Sequence, residues 1–145
     1  MVKRYLLDKN ALSEVIRPKP SVPFLRRFRA HETELAIAAV TWHEALYGMA
    51  RLPEGKRRNT IRDYLHEVVL ATMAVIPYDH AAADWHARER ARLGTKGRSV
   101  PYADGQIAGI AAVGSFTRVT ANVRDFEPFE GVRVETGRAE QDRGR

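Results

Sequence analysis

Short aliphatic runs alternate with longer helix-forming stretches along nearly the whole chain, and this alternation restricts the fold more than any other feature. Leu35-Ala36-Ile37-Ala38-Ala39-Val40 is unbroken by any polar residue, the pattern of a strand covered on both faces. Residues 3–7 form a shorter β-prone run, 73–78 and 116–120 repeat the pattern, and 131–135 is a weaker fifth instance. Between these runs the spacing predicts helices over 11–17, 22–29, 42–51, 56–71, 80–93 and 102–113. Pro18, Pro20 and Pro53 sit at breaks, Asp79 suits an N-cap, Pro101 a first helical position, and Gly94 and Gly114 C-terminal caps. Strands that alternate with helices predict a three-layer α/β/α fold around a mostly parallel sheet of about five strands. A chain of 145 residues is long enough for one domain with its own core. That domain is placed at 1–135; residues 136–145 lack a large apolar side chain and are expected to form a disordered tail.

Several classes of function are excluded by what is missing. The sequence has no cysteine, so disulfides, thiolate metal sites and cysteine nucleophiles are out, which fits a reducing cytoplasm. The N-terminus has basic residues but meets the charge of Asp8 before an apolar region of signal-peptide length can form, and the longest apolar run, 68–77, is far shorter than the about 18 residues a spanning helix needs. A cytoplasmic protein without membrane insertion is therefore expected. Lysines and arginines number 24 against 18 acids, a net charge of +6. Such a surface attracts polyanions, nucleic acid first among them, although the same charge also serves plain solubility.

Four acids fall where an α/β fold places ligands. In a parallel sheet the carboxyl ends of the strands and the N-termini of the helices beside them share one edge. Asp8 follows Tyr5-Leu6-Leu7 directly, Glu44 lies shortly after the 35–40 run, Asp104 opens the helix after Pro101, and Asp125 follows Val119-Thr120 by a few residues. Each has a local explanation as well. Asp8 can cap a helix, Thr41-Trp42-His43-Glu44 matches a capping box, Asp104 can answer a helix dipole, and Asp125 can be a turn residue. Taken together, carboxylates converging on one cleft repel each other unless a cation neutralises them. Oxygen-only donors favour magnesium or manganese, with water completing the shell. An acidic, metal-loaded pocket in a basic protein suits phosphodiester hydrolysis by metal-activated water.

These residues resemble a known pattern. Tyr5-Leu6-Leu7-Asp8-Lys9-Asn10-Ala11-Leu12-Ser13-Glu14 is similar to the opening strand of PIN domains, specifically the VapC type of toxin. Val40-Thr41-Trp42-His43-Glu44 with Gly48, Asp104-Gly105-Gln106-Ile107-Ala108, and Thr120-Ala121-Asn122-Val123-Arg124-Asp125-Phe126 resemble the second, third and fourth motifs in order. The resemblance spans about residues 3 to 135. It implies a PIN-like fold and a magnesium-dependent endoribonuclease, the toxin of a type II toxin–antitoxin pair, that cleaves structured RNA such as transfer or ribosomal RNA. It implies a cognate antitoxin and a homodimer, with higher-order assembly alongside the antitoxin. On that reading Asp8, Glu44, Asp104 and Asp125 are the catalytic, metal-binding quartet (Mg2+, or Mn2+), with Asn10, Asn122 and Thr120 in support. One departure stands out: Lys9 occupies a position where many relatives carry a hydroxyl. It either places positive charge beside Asp8 and weakens metal binding, or points outward toward an RNA phosphate.

Other chemistry fits less well. The fourth residue after His43 is Tyr47, so His-Glu-x-x-His is incomplete. His80 and His86 are six apart, off one helical face, and a lone exposed histidine is expected. No Gly-x-Ser-x-Gly occurs. Gly94-Thr95-Lys96-Gly97-Arg98-Ser99 lacks P-loop spacing and is read as a basic loop that could touch RNA. The clusters Arg26-Arg27-Arg29, Lys56-Arg57-Arg58-Arg62 and Arg88-Arg90-Arg92 are read mainly as solvated helix faces, and Trp42, Trp85 and the tyrosines as core or interface. The apolar faces of helices 42–51 and 56–71 could hold a partner helix or second subunit. Two rivals to the ribonuclease remain. One is a non-catalytic RNA-binding or regulatory module with a compromised metal site; the other is a metal-dependent phosphatase of small molecules.

Overall fold

The computed structural model describes residues 2–120 and 129–136. Strands β1 (Tyr5–Leu7), β2 (Leu35–Ala38), β3 (Ala74–Ile76), β4 (Thr117–Thr120) and β5 (Arg133–Thr136) form one sheet in the order β3-β2-β1-β4-β5. Every pairing is parallel, so the expected mostly parallel, five-stranded sheet is present in wholly parallel form among the described residues. From β1 the chain winds outward to β2 and β3, then returns to β1's other edge as β4 and β5. The switch point of the topology therefore lies between β1 and β4, where ligands bind in folds of this kind.

The helices are α1 (Lys9–Glu14), α2 (Val22–Ala30), α3 (Ala39–Ala50), α4 (Lys56–Asp63), α5 (Leu70–Thr72), α6 (His80–Thr95) and α7 (Tyr102–Gly114), with a 3-10 turn at Glu32–Glu34 and a π turn at Tyr64–Val69. Successive strand residues point to opposite faces, and the two cores follow that rule. Leu7, Leu35 and Ile37 pack with Leu12 of α1, Phe24 of α2 and the buried Tyr64, Leu65 and Val69. Leu6, Ala36 and Ala38 face the other way, against Ala82 of α6 and Ile107, Ile110 and Ala111 of α7. The alanines on this second face bring α7 close to the sheet. Glycines then bring α6 close to α7: a Cβ on Gly109 would lie 2.7 Å from the Ala82 carbonyl oxygen, and one on Gly105 would overlap the His86 ring.

Element boundaries depart from the sequence reading in informative ways. The helix expected at 11–17 begins at Lys9, because Asp8 caps it. The strand expected through Val40 ends at Ala38, where its pairing with Ile76 stops, and α3 starts at once. The helix expected over 56–71 is interrupted by the π turn. There Tyr64 donates its hydroxyl to the Leu12 carbonyl oxygen at 2.8 Å, satisfying one of the acceptors a helix as short as α1 leaves open at its end. Burial pushes the Tyr64 phenol pKa up. Gly94 lies inside α6 rather than capping it, and Gly97, at φ +69, takes the left-handed turn. Pro101 is the N-cap of α7 rather than its first residue, and Ser115, not Gly114, is its left-handed cap. Gly114 is needed for space instead, since a Cβ there would strike the Phe116 ring at 2.3 Å. Of the expected tail 136–145, all but Thr136 lies outside the described residues.

The two kinds of helical glycine predict opposite signs. Gly109→Ala drives a Cβ into the α6 backbone and should cost about 1–3 kcal/mol, whereas Gly94→Ala meets nothing within 4 Å and should stabilise by about 0.5–1 kcal/mol. Denaturant unfolding of both variants reads the two signs directly.

Candidate active site

β1 ends at Leu7 and α1 begins at Lys9, which leaves Asp8 between them with extended backbone. Its backbone N–H donates to the Val119 carbonyl at 2.9 Å, continuing the β1–β4 ladder by one residue. Its Oδ1 accepts from the Ala11 N–H at 2.8 Å, the N-cap bond expected of it. The residue is only 4% exposed, and a buried carboxylate needs further compensation. Nη2 of Arg118 lies 3.7 Å from Oδ2. Arg118 pairs with Leu6 across the ladder, so its side chain leaves β4 on the same face as Leu6 and Asp8. Thr120, buried at the end of β4, completes this wall of the switch point.

Glu44 is half-buried in the second turn of α3, and Asp104 half-buried in the first turn of α7. The capping box proposed for Glu44 does not form. α3 starts two residues before Thr41, with Ala38 as N-cap and no side-chain cap, and Thr41 is buried in its interior. Asp104 does sit where the α7 dipole favours an acid. Among the described residues neither Glu44 nor Asp104 has a hydrogen-bond or ion-pair partner. α1 packs on α3 and α3 on α7, so the three acids ride on three consecutively packed helices. Asn10 is exposed on the first turn of α1. Asp125 and Asn122 lie outside the described residues.

Lys9 is exposed and lines a groove between α1, α3 and α4 together with Leu12, Ile16, Met49 and Arg57. The cation beside Asp8 is thus Arg118 rather than Lys9. No group of three or more acids or histidines is close enough to cage a metal among the described residues. The donor chemistry still fits a hard divalent ion, because magnesium takes one or two carboxylates directly and keeps waters elsewhere.

His86 is also corrected. It is buried, whereas His80 is exposed. Its imidazole fills the space Gly105 leaves open, with Nδ1 2.9 Å from the Tyr78 hydroxyl and the Tyr102 ring centroid 5.1 Å away. Burial, and after it the charge of Arg90, holds the imidazole below its ordinary pKa, so it is neutral at neutral pH. A residue wedged against Gly105 was invisible to helical spacing, because the space it fills is made by a glycine on another helix. Arg118 escaped notice for a similar reason: an arginine in a β-prone run carries no local sign of a buried partner. Trp42, Trp85, Tyr5, Tyr64 and Tyr78 pack in or against the cores, as expected, whereas Tyr47 and Tyr102 are exposed.

A family model described as PIN domain matches residues 5–130. The chain is 35% identical over 128 residues to the VapC ribonuclease Y4jK of Sinorhizobium fredii, covering 86% of this chain and 89% of that protein. It is 30% identical over 132 residues to the tRNA(fMet)-specific endonuclease VapC of Salmonella typhimurium, covering 91% of this chain and 96% of that one. The crystal structure of DNA-bound VapBC from Salmonella typhimurium superposes with a TM-score of 0.80 at 30% identity, over 94% of this chain and 99% of that chain.

The three carboxylates should separate in a stability measurement. Asp8→Ala removes a cap and leaves Arg118 facing a lost charge, an expected cost of roughly 2–4 kcal/mol. Glu44→Gln and Asp104→Asn should stay within about 1 kcal/mol of the parent. Guanidinium unfolding curves check this ordering.

Proposed function

The chain belongs to the PIN-domain family, in its VapC branch, and from that premise we propose that it is a magnesium-dependent endoribonuclease and the toxin of a type II toxin–antitoxin pair. One observation carries the reading: Asp8, Glu44 and Asp104 ride on helices packed side by side, and the last two have no hydrogen-bond or ion-pair partner among the described residues. Half-buried acids left without a counter-charge are suited to hold a cation. Glu44 and Asp104 are the direct holders. Asp8, tied to the Ala11 N–H and to Arg118, is fixed in orientation and positions water or substrate beside them. Asp125 completes the quartet, and Asn10, Asn122 and Thr120 supply neutral polar contacts at its edge. Bound magnesium or manganese would supply Lewis-acid polarisation of the scissile phosphate and activation of the attacking water.

Structured RNA is the proposed substrate, in line with the transfer-RNA specificity in the name of the Salmonella relative, and the net charge of +6 favours it. A cognate antitoxin is the proposed partner, since the Salmonella structure is a VapBC complex. The groove of about 180 Å³ between α1, α3 and α4 suits a protein segment: Leu12, Ile16, Met49 and Ile61 offer an apolar floor, and Lys9, Arg17 and Arg57 a basic rim. A homodimer in the cytoplasm is proposed as the working form. No helix among the described residues is long and apolar enough to cross a membrane.

The non-catalytic rival is favoured by one observation, that Arg118 already balances the charge of Asp8. Two measurements separate the readings. Glu44→Gln and Asp104→Asn should each lower cleavage of a transfer-RNA mixture by at least about 100-fold, the scale of losing one charge-stabilising group, with unfolding curves unchanged. Calorimetric titration with magnesium or manganese chloride should show binding that Asp104→Asn abolishes. Parent-level cleavage in both variants would sink the mechanism, and acid-independent titration would favour the rival.

A further inference from the structure

The cations of α6 are not equivalent. Arg92 is bound to Glu89 and lies 3.5 Å from Glu130, and Glu89 also accepts the Glu130 backbone N–H at 2.9 Å. These hydrogen bonds hold the Glu89 carboxyl below its usual pKa, so this side of the helix is neutralised from within. Arg90, two residues earlier, is exposed with its guanidinium 5.5 Å above the Tyr102 ring. Arg98, in the turn after α6, is exposed as well, with its backbone N–H on the Leu93 carbonyl at 2.9 Å. Neither Arg90 nor Arg98 has a carboxylate partner among the described residues.

A cavity of about 280 Å³ is lined by both arginines together with His86, Leu93, Ser99 and Phe129. Planar guanidinium groups match the paired oxygens of a phosphate, the Ser99 hydroxyl adds a donor, and His86 is neutral and does not add charge. The cavity adjoins the acidic site, for His86 also touches Gly105, the residue after Asp104.

We infer that this cavity is a subsite for a second, non-scissile phosphate of the RNA, held by Arg90, Arg98 and Ser99. The inference rests on the ribonuclease reading and extends it by fixing where the strand leaves the acidic site. It gives Gly94-Thr95-Lys96-Gly97-Arg98-Ser99 a defined role: after the left-handed turn at Gly97, Arg98 and Ser99 line the same cavity as Arg90.

The test is binding of a fluorescently labelled transfer-RNA mixture to Glu44→Gln protein, titrated across a series of potassium chloride concentrations. Adding Arg90→Gln and Arg98→Gln together should weaken binding about tenfold and make the log–log salt slope shallower by about 0.7, the share of one phosphate contact. Arg26→Gln with Arg29→Gln removes the same charge from α2 and should change both quantities less. Parent-like binding by the cavity variant, or an equal loss in both variants, overturns the subsite while RNA binding and cleavage by the parent keep the ribonuclease reading intact. A parent that neither binds nor cleaves RNA overturns both.

Discussion

Strands of three and four residues cannot hold a parallel sheet together by backbone hydrogen bonds alone, because each such bond contributes only about 1 kcal/mol net. The cover on both faces does most of that work. Leu6 and Leu7, adjacent in sequence, end in different cores, and burying each contributes roughly 1.5–3 kcal/mol. The two faces are built to different thickness: leucine, isoleucine and aromatic rings toward α1 and α2, alanine toward α6 and α7. The thin face lets glycine-bearing α7 lie close to both the sheet and α6, and that closeness puts His86 against the turn that carries Asp104.

The same arrangement sets the electrostatics of the switch point. Asp8 is held by a helix N–H and a buried arginine, so its charge is balanced by the fold itself. Glu44 and Asp104 lack such a counterpart among the described residues. The acidic edge is thus divided between a carboxylate paired within the fold and two half-buried ones facing solvent. On the neighbouring wall the charge is reversed. Arg92 is matched by Glu89, while Arg90 and Arg98 are left facing a cavity, so acidic and basic surfaces meet at the first turn of α7.

Much of this was legible in the chain. The 35–40 run could be read as a doubly covered strand because a polar residue in it would have been buried, and the alternation of short apolar runs with amphipathic stretches led to the layered parallel sheet. The positions of Asp8, Glu44 and Asp104 near strand ends and helix starts followed from the same alternation. Boundaries were less legible. Val40 is as apolar inside a helix as inside a strand, and only the end of pairing with β3 stops β2 at Ala38. Nothing in the run 56–71 announces the π turn, which exists where Tyr64 reaches the end of a helix far away in sequence.

The amino-acid sequence by itself determined the layered fold, the family pattern and the acids that define the candidate site, because periodicity and local spacing are properties of neighbouring residues. Tertiary structure decided which charges are balanced. Arg118 rather than Lys9 stands beside Asp8, Glu44 is free of the capping box its local sequence spells, and His86 is buried in the space of a missing side chain. Each of these depends on the distance between segments far apart along the chain, and Coulomb and packing energies are set by that distance.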